Sequence, residues 1–370
     1  MSANLKRYFY YFCLFFLSFA GQAEFGISAD KITIGMSNPQ SGPSANLGQQ
    51  FKLGAVTHFN AVNLQGGING KKIELLSLDD GYEPLQTVEN TRSFLLTKSV
   101  FALFGYVGTP TSHSILPLLE SSQIPYLMPM TGASFLRTPD KKNVYNLRAS
   151  YHQEIQYQVN YLLNQLKLKN IGLLIQADEF GLSVENEINE ALSMLGSQPI
   201  VITRFKRNTT DIDAALTTLI QHNVNAIVLV GTTEPLSEFI NASYERDFKP
   251  VFTTVSFASS DELFKKLKYS SHVLVTEVVP NPKSCTMKIC KSFRAQMKKA
   301  KAEELNHINF EGYLSAMLFV EAAKKCGEEL TQQCLLTMLK TQTFTLDDLI
   351  IEFNPQTSQG LNQVFASINN

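Results

Sequence analysis

Hydroxyl-bearing side chains and glycines recur where apolar runs of this chain end, and together they could bind an anion. The segment FGYVGTPTSHSI (104–115) changes from an apolar run to Gly108, Thr109 and Pro110. Proline fits the first position of a helix, so we predict a helix with Thr109 as its N-cap. The free N–H groups at a helix start can, with the threonine hydroxyl, donate hydrogen bonds to a ligand carboxylate. The alternative is a helix cap without a ligand.

Similar loops follow most other apolar runs. They are SNPQSGPS (37–44), MPMTGAS (128–134), RASY (148–151), QADEFG (176–181), VGTTEP (230–235) and VSFASS (255–260). In open α/β sheets, ligands bind beyond the carboxyl ends of the strands. One such loop alone favours simple helix capping, whereas five or more on the same side of two sheets favour a ligand site.

Patterns typical of catalytic, metal and nucleic-acid sites are missing from the sequence. The six histidines are scattered, and no nucleophile elbow, zinc-protease motif or phosphate-binding loop occurs. Asp79 and Asp80 could form an acid–base pair, but a polar cluster at a strand end or a helix cap is the favoured interpretation. The net charge of −1, without a long basic run, argues against a nucleic-acid partner. We expect no catalytic residue, no metal ligand and no cofactor.

Short apolar and β-branched runs alternate with helical patterns, as in parallel α/β sheets. The runs predicted as strands are 31–36, 71–80, 100–106, 124–130, 144–150, 170–176, 198–205, 224–231, 250–256, 272–279, 346–353 and 362–368. One compact sheet usually holds fewer strands, so we predict an α/β fold of two lobes with mostly parallel sheets. No low-complexity linker is present, and we expect several chain crossings between the lobes. Thr331 is a predicted helix N-cap.

The first 23 residues are typical of a secretory signal peptide. Lys6 and Arg7 precede an apolar run that is too short to span a bilayer, and Gly21 and Ala23 are the small residues before a cleavage site. We predict cleavage near Ala23/Glu24 and a periplasmic mature protein without stable membrane insertion. A permanent membrane anchor is the rival interpretation.

Four cysteines remain after this segment, at positions 285, 290, 326 and 334. An even number of cysteines in an oxidising compartment indicates disulfides, and these spacings fit no C-x-x-C pair. Two local disulfides, Cys285–Cys290 and Cys326–Cys334, are the simplest expectation. Four free thiols are the alternative.

Eight segments, in order along the chain, carry a family resemblance. They are KITIGMSNPQSGPSANLG (31–48), GGINGKKIELLSLDDGYEP (66–84), FGYVGTPTS (104–112), IPYLMPMTGASFLR (124–137), VYNLRASYHQE (144–154), DEFG (178–181), GTTEPLSEFI (231–240) and EGYLSAMLFVEAAKK (311–325). Together they resemble the periplasmic leucine/isoleucine/valine-binding protein family, the type I solute-binding proteins of ABC transporters. The resemblance implies two Rossmann-like lobes joined by three hinge crossovers. We predict a signal peptide at 1–23, lobe 1 at 24–148 plus 278–355, and lobe 2 at 149–277 plus 356–370.

The resemblance also implies a set of ligand contacts. Hydroxyl and backbone N–H groups of lobe 1 would hold a ligand carboxylate at Thr109 and Thr131, and Phe180 of lobe 2 would close over the ligand. The other implied contacts are Ser41, Leu47, Val107, Gly108, Gly132, Tyr151, Thr233, Glu234 and Ser256. Leu47 stands at a position that is usually aromatic in the family.

Ser256 departs from the family pattern, in which amino-acid binders have a glutamate that pairs with the ligand ammonium. Either Glu234 or Asp178 supplies that charge, or the ligand has no ammonium group. The resemblance implies a monomeric, non-enzymatic receptor for an amino acid, amide or organic acid that delivers its ligand to an ABC permease. The alternatives are a ligand-sensing domain for a signalling partner and a periplasmic α/β hydrolase.

Overall fold

The framework consists of two largely parallel sheets, seen in a computed structural model that describes residues 24–302 and 304–370. The predicted signal peptide lies outside the described residues. The first sheet contains β1 (Lys31–Asn38), β2 (Lys72–Asp79), β3 (Leu103–Phe104), β4 (Tyr126–Leu127) and β5 (Val144–Tyr145). Its strand order is β2-β1-β3-β4-β5, and all neighbours are parallel. We call the part of the chain around this sheet lobe 1.

The second sheet is built from later strands, and we call the part around it lobe 2. The remaining strands are β6 (Ile171–Gln176), β7 (Val201–Phe205), β8 (Ala226–Val230), β9 (Val251–Thr254), β10 (Val273–Glu277), β11 (Phe344–Leu346), β12 (Leu349–Ile351) and β13 (Phe365–Asn369). The order in the second sheet is β13-β10-β9-β8-β6-β7, in which β13 alone is antiparallel to its neighbour. Strands β11 and β12 form a separate hairpin.

Helices connect most of these strands. They are α1 (Ala45–Asn63), α2 (Pro84–Thr97), α3 (Thr109–Ser114), α4 (Leu116–Ser122), α5 (Tyr151–Asn160), α6 (Glu179–Met194), α7 (Asp213–Gln221), α8 (Thr233–Glu245), α9 (Ser260–Lys266), α10 (Lys288–Lys299), α11 (His307–Lys325) and α12 (Gln332–Thr341). Helix α5 continues into a π-helical turn at Tyr161–Gln165. Within the described residues, no helix is both long and apolar enough to cross a bilayer.

The apolar runs fold as central parallel strands because both faces of each sheet are covered. Every residue of β6 (IGLLIQ) and β8 (AIVLV) is buried, as expected for strands with helices on both sides. This arrangement confirms the predicted α/β fold of two lobes with mostly parallel sheets.

The chain passes between the two sheets at three places. It leaves the first sheet after β5, returns after β10 to the helices of lobe 1, where α11 packs on α1, and passes to the second sheet again between β12 and β13. These connections confirm the expected multiple crossings. The residue bounds given above for the two lobes stay a prediction.

Some predicted elements differ in detail from the structure. The predicted strand 346–353 is broken by a turn, because Asp347 adopts a left-handed conformation with φ of 54° and starts the return strand β12. The predicted strands 124–130 and 144–150 form regular strands of only two residues each, with isolated bridges at Met130 and Asn146, and the segments that follow are loops. Thr331 is confirmed as an N-cap, since its side chain accepts a hydrogen bond from the Cys334 N–H group.

Helices α1 and α11 pack backbone to backbone in lobe 1. A Cβ atom at Gly54 would lie 1.8 Å from the Asn309 carbonyl oxygen, and one at Gly312 would lie 2.0 Å from that of Phe51. Only glycine permits this approach, which fixes the start of α11 against α1. The start of α11 places His307 against Asp261 and Glu311 against Arg148.

Both pairs of cysteines are bonded. Cys285 is joined to Cys290 just before and within α10, and Cys326 at the end of α11 is joined to Cys334 in α12. Each bridge closes a short loop in the helical part of lobe 1.

Candidate ligand-binding cleft

Three buried hydroxyl groups meet between the two lobes, and we call them the hydroxyl cluster. Thr109 follows β3 and Thr131 follows β4, and their Oγ1 atoms lie 2.8 Å apart. The Tyr151 hydroxyl lies 3.2 Å from Thr109 Oγ1 and 3.4 Å from Thr131 Oγ1. All three side chains are fully buried. Adjacent parallel strands end at the same sheet edge, so residues from distant segments come together here.

Thr109 is not the N-cap that we predicted. Helix α3 begins at Thr109 itself, and the N-cap is Gly108, with φ of 112°. Glycine adopts this conformation without the steric cost that a side chain would add. The Thr109 hydroxyl is therefore not used as a cap, and it bonds to Thr131 and Tyr151 instead.

Tyrosine rings cover the backbone of both glycines in these loops. A Cβ atom at Gly108 would lie 2.4 Å from the Tyr82 ring, and one at Gly132 would lie 2.5 Å from the Tyr151 ring. The glycines thus allow aromatic rings to lie directly on the loops that carry Thr109 and Thr131.

Four aromatic rings form a continuous wall beside the hydroxyl cluster, and we call them the aromatic cluster. The Phe180 ring centroid lies 5.5 Å from that of Tyr151 and 5.0 Å from that of Phe257. Tyr82 of lobe 1 lies 5.8 Å from Phe257 of lobe 2. All four side chains are fully buried. Tyr82 and Phe257 were missed in the sequence, although each stands within three residues of a strand end.

Ser256 contacts buried charges rather than the hydroxyl cluster. Its hydroxyl accepts a hydrogen bond from Arg148 Nη2 at 2.7 Å and donates to Glu154 Oε1 at 3.0 Å. The Ser256 N–H group and the Thr276 hydroxyl also donate to Glu154, each at 2.7 Å. Ser256 therefore holds a carboxylate from α5 instead of presenting a free polar group.

Arg148 pairs with one buried carboxylate, Glu311, and is linked to a second, Glu154, through the Ser256 hydroxyl. Its Nε atom lies 3.1 Å from Glu311 Oε1 of α11, and the arginine side chain is 1% exposed. Burial raises the pKa of Glu154 and of Glu311, although Arg148 acts against both shifts. These three residues were also missed, because their partners lie far away in the sequence.

Arg137 fixes the loop that carries Thr131. It donates to the carbonyl oxygens of Thr131 at 3.1 Å and Ala133 at 2.8 Å, and to Gln359 Oε1 at 2.8 Å. Because Gln359 belongs to the third crossing, this buried guanidinium joins the hydroxyl cluster to the hinge.

The mouth of the cleft holds three other predicted contacts. A cavity of about 270 Å³ is lined by both lobes, including Leu47, Thr233 and Glu234. Thr233 donates its hydroxyl to the Ala258 carbonyl, and Glu234 forms an ion pair of 2.6 Å with Lys266. These three residues therefore lie together at the mouth and not beside the hydroxyl cluster.

Ser41 and Val107 complete the predicted set. Ser41 is exposed, and its N–H group donates to Asp79 Oδ1 at 3.3 Å. Val107 is buried, and its carbonyl oxygen accepts the Thr111 hydroxyl at 2.6 Å. Neither side chain joins the hydroxyl cluster.

Asp79 and Asp80 both bind neighbouring groups rather than form an acid–base pair. Asp79 accepts the N–H groups of Gln40 at 2.8 Å and Gly81 at 3.0 Å. Asp80 is buried and accepts from Ser37 Oγ at 2.8 Å, and burial raises its pKa to about 6. The pair is thus the polar cluster at a strand end that the sequence favoured.

One group of side chains in the described part has spacing suited to a metal ion. Ligand atoms of His152, Glu187 and Glu190 lie within 4.8 Å of one another on α5 and α6. His152 Nδ1 is already within 2.9 Å of Glu187 Oε2, and Glu190 is exposed. Exposed acidic groups often have this spacing without a metal, and we assign none.

A second buried set of charges, the hinge cluster, joins lobe 2 to the start of α11. His307 Nδ1 lies 2.9 Å from Asp261 Oδ2 and 3.5 Å from Glu277 Oε1. Ser260 donates to Glu277, and Lys283 pairs with Asp261. Burial raises the pKa of Glu277 to about 7. Although burial opposes it, the hydrogen bonds from His307 and Lys283 lower the pKa of Asp261 to about 2.

We expect the melting temperature to fall as the pH rises from about 5 to 8. The pKa of Glu277 lies above its ordinary value of 4.5, so its stabilising effect is complete below pH 4.5 and is lost as the pH rises through about 7. This difference corresponds to about 3 kcal/mol. Although burial opposes it, Glu277 and Asp261 raise the pKa of His307. This raised pKa also makes the stability fall as the pH rises. The lowered pKa of Asp261 has the opposite effect, because its contribution to stability is present above pH 3.8 and is lost as the pH falls through about 2.

The isosteric variant Glu277→Gln tests this pH dependence. Its melting temperature, followed by circular dichroism at several pH values, should change less between pH 5 and 8 than that of the wild type. The exposed Glu74→Gln variant is the control and should follow the wild type. Parallel curves for wild type and Glu277→Gln would contradict the assignment.

Comparison with protein families gives one extended match. The chain matches the family described as "Periplasmic binding protein" over residues 31–366. It is 23% identical over 232 residues to a Pseudomonas aeruginosa protein named "Amino acid binding protein", with 63% of this chain and 62% of that protein covered. The chain spans less than two thirds of the length of the first curated relatives that it matches.

Solved structures with the same fold cover nearly the whole described chain. A possible leucine/isoleucine/valine-binding protein from Rhodopirellula baltica is 27% identical, with a TM-score of 0.86 and coverage of 94% of this chain and 95% of that chain. A fatty acid ABC transporter substrate-binding protein from Thermomonospora curvata is 19% identical, with a TM-score of 0.84 and coverage of 94% and 91%. At 19% identity the second similarity shows the fold alone.

Proposed function

This chain belongs to the periplasmic binding protein family, as its resemblance to the leucine/isoleucine/valine-binding proteins implied, and from that premise we propose that it is an extracytoplasmic solute receptor. It captures a small carboxylate-bearing ligand between its lobes and delivers it to an ABC permease. The observation that carries this proposal is the hydroxyl cluster of Thr109, Thr131 and Tyr151, which is buried between the lobes.

The hydroxyl cluster suits a ligand carboxylate because each of its groups can rotate to donate. In the closed cleft the three hydroxyls bond to one another. A carboxylate has only acceptor atoms, so it can replace these bonds with several charge-assisted ones. The aromatic cluster then covers the apolar part of the ligand, with Tyr82 from one lobe and Phe180 and Phe257 from the other.

Binding without chemical conversion is the expected role of this site. Among the described residues, the side-chain hydroxyls of Thr109 and Thr131 have hydrogen-bond partners only in each other, the Tyr151 hydroxyl and the Ala133 N–H group. An activated nucleophile needs an adjacent base, and neither threonine has a histidine or carboxylate partner there. The hydroxyls therefore serve as hydrogen-bond donors.

The receptor role requires export and closure. We propose that the protein reaches the periplasm after cleavage near Ala23/Glu24 and acts as a monomer. Ligand closes the two lobes by a hinge motion at the three crossings. A melting-temperature screen of amino acids, amides and organic acids should find a stabilising ligand. Small-angle X-ray scattering should then show a smaller radius of gyration with that ligand, and identical profiles at saturation would contradict the hinged clamp.

An ion pair at the rim of the cleft should contribute to closure. Glu83 of lobe 1 accepts from Arg207 Nη2 at 2.7 Å and from Asn208 Nδ2 at 2.8 Å, both of lobe 2. Exposed ion pairs contribute about 0–1 kcal/mol. We therefore expect Glu83→Ala to weaken ligand binding by about two- to five-fold in titration calorimetry. High salt should reduce this difference, since it screens the pair.

The matched control for the rim pair is a similar ion pair within lobe 1. Lys31 and Glu74 lie 2.6 Å apart and are about half-exposed. Because both partners belong to the same lobe, Glu74→Ala should leave ligand affinity unchanged. Equal effects of the two variants would contradict a closure role for Glu83.

A further inference from the structure

Two helices from opposite lobes begin at the mouth of the cleft, and neither is capped by the hydroxyl of its N-cap residue. Helix α1 of lobe 1 begins after Ser44, and α8 of lobe 2 begins after Thr232. A serine or threonine at this position usually accepts a hydrogen bond from an N–H group of the first turn. Neither hydroxyl does so here, and neither has a hydrogen-bond partner among the described residues. Both residues are only 2% exposed.

Three other polar N-caps of the chain do bind the helices that they precede. The side chains of Ser150, Asn306 and Thr331 each accept a hydrogen bond from an N–H group of the first turn. A buried hydroxyl without a partner costs free energy, because it has lost its hydrogen bonds to water. The free hydroxyls of Ser44 and Thr232 are therefore candidates for a partner that enters the cleft from outside.

Both residues line the cavity of about 270 Å³ at the mouth, which we call the mouth cavity. Small-molecule pockets usually measure about 300–1,000 Å³, so the mouth cavity suits one end of a ligand. It is adjacent to the aromatic cluster, because Phe257 is followed by Ala258, whose carbonyl oxygen accepts the hydroxyl of the lining residue Thr233. A ligand held at the hydroxyl cluster can thus extend past Phe257 toward the mouth.

The start of each helix offers further hydrogen-bond donors. The N–H groups of Asn46 and Glu234, in the first turns of α1 and α8, have no backbone partner among the described residues. Such a helix start also carries a partial positive charge. The two carboxylates of the cavity wall are compensated, because Glu234 pairs with Lys266 at 2.6 Å and Glu262 with Lys265 at 3.1 Å. The mouth cavity therefore suits a group that accepts hydrogen bonds from both lobes.

We propose that the ligand is elongated and has, at the end opposite its carboxylate, an oxygen that accepts hydrogen bonds in the mouth cavity. This inference rests on the proposed function, because it concerns the far end of the same ligand. The oxygen belongs to a carboxamide or to a second carboxylate, and the hydroxyls of Ser44 and Thr232 donate to it when the lobes close. An apolar end would leave both hydroxyls without a partner, and an ammonium end would meet the positive ends of two helices.

Matched compounds that differ only at the far end test this inference on the intact mature protein. Glutaramate, glutarate, 5-methylhexanoate and 5-aminopentanoate end in a carboxamide, a carboxylate, an isopropyl group and an amine. Adipamate, adipate, 6-methylheptanoate and 6-aminohexanoate form the same series with one more methylene. In at least one series, titration calorimetry should show the amide or the diacid binding at least about ten-fold more tightly than the apolar and amine compounds. The tighter of the two shows whether the accepting oxygen is neutral or charged.

Removal of the two hydroxyls is a second, independent measurement. The double variant Ser44→Ala/Thr232→Val deletes groups that have no partner, so its melting temperature should equal or exceed that of the wild type. It should bind the tightest compound of the series at least about ten-fold more weakly. The matched control is Ser315→Ala, because the Ser315 hydroxyl is also buried without a partner but does not line the mouth cavity. This control should keep the affinity of the wild type.

The other outcomes distinguish failure of this inference from failure of the proposed function. Apolar or amine compounds that bind as tightly as the amide and the diacid would overturn the inference and leave a carboxylate receptor. A loss of affinity in Thr109→Ala without one in the double variant would also overturn it, because the ligand would then be held only at the hydroxyl cluster. If none of these compounds binds while another carboxylate from the screen does, the inference fails and the proposed function stands. If no carboxylate binds at all, both fail.

Discussion

Replacing Arg148 with methionine is expected to lower the free energy of unfolding by about 3–5 kcal/mol, the usual cost of removing one partner from a buried ion pair. Methionine has a long unbranched side chain, so the packing volume is largely kept while the charge is lost. Glu311 would then be buried without its ion-pair partner, and Glu154 would lose the guanidinium that is hydrogen-bonded to the same Ser256 hydroxyl. We expect this to be among the most destabilising single substitutions between the lobes.

Urea unfolding followed by circular dichroism measures this effect. The loss should be smaller at pH 5 than at pH 8, because burial already raises the pKa of Glu154 and Glu311 and both can become neutral by protonation. The control is Ser256→Ala, which removes hydrogen bonds but no charge and should cost about 0.5–1.5 kcal/mol. The double variant Arg148→Met/Glu311→Gln should cost less than the two single changes added together. An Arg148→Met effect below about 1 kcal/mol, independent of pH, would contradict a charge role.

The fold could be predicted from the sequence because its strands are local signals. Runs such as NIGLLIQ and VNAIVLVG are continuous and apolar, and they became the fully buried strands β6 and β8. Their alternation with helical patterns indicated an α/β fold with parallel sheets, since parallel neighbouring strands need crossover connections. The residues at which individual strands begin and end were less predictable. Residues 346–353 (LDDLIIEF) resemble one strand with an aspartate pair near its start, but the conformation of Asp347 places that pair in a turn between two strands.

The hydroxyl residues of the cleft could be located from the sequence, but their local geometry could not. Thr109 and Thr131 follow apolar runs, and parallel strands bring such ends to one edge. Whether Thr109 or Gly108 caps α3 depends on a single backbone conformation, the φ of 112° at Gly108. That conformation accompanies the Tyr82 ring that lies on Gly108, which is a tertiary contact.

The charged and aromatic partners depended on long-range contacts. Arg148 stands within the segment RASY, but its partner Ser256 is 108 residues further along the chain. Tyr82 and Phe257 follow strand ends in different lobes, and they meet only when the lobes are in contact. A strand end indicates that a residue can face the cleft, but it does not specify the residue across the cleft that it meets.

Removing the Thr109 hydroxyl is expected to weaken ligand binding by about 10- to 100-fold, since a hydrogen bond to a charged group contributes about 1.5–3 kcal/mol. Thr109→Ala deletes one of three hydroxyl groups that are fully buried between the lobes. The Thr131 and Tyr151 hydroxyls can still bond to each other, so the carboxylate loses one donor. Titration calorimetry with the tightest carboxylate of the melting-temperature screen measures the change.

Thr109→Ser is the matched control, because it keeps the hydroxyl and removes only a methyl group. Its affinity should stay close to that of the wild type. Since Gly108 and not Thr109 is the N-cap of α3, Thr109→Ala leaves the helix start intact and should lower the free energy of unfolding by about 1 kcal/mol at most. A Thr109→Ala protein that melts at a lower temperature but binds as the wild type does would show that the hydroxyl only stabilises the closed loops. Equal losses of affinity in the alanine and serine variants would instead assign the effect to packing of the methyl group, because both variants lack it and only one lacks the donor.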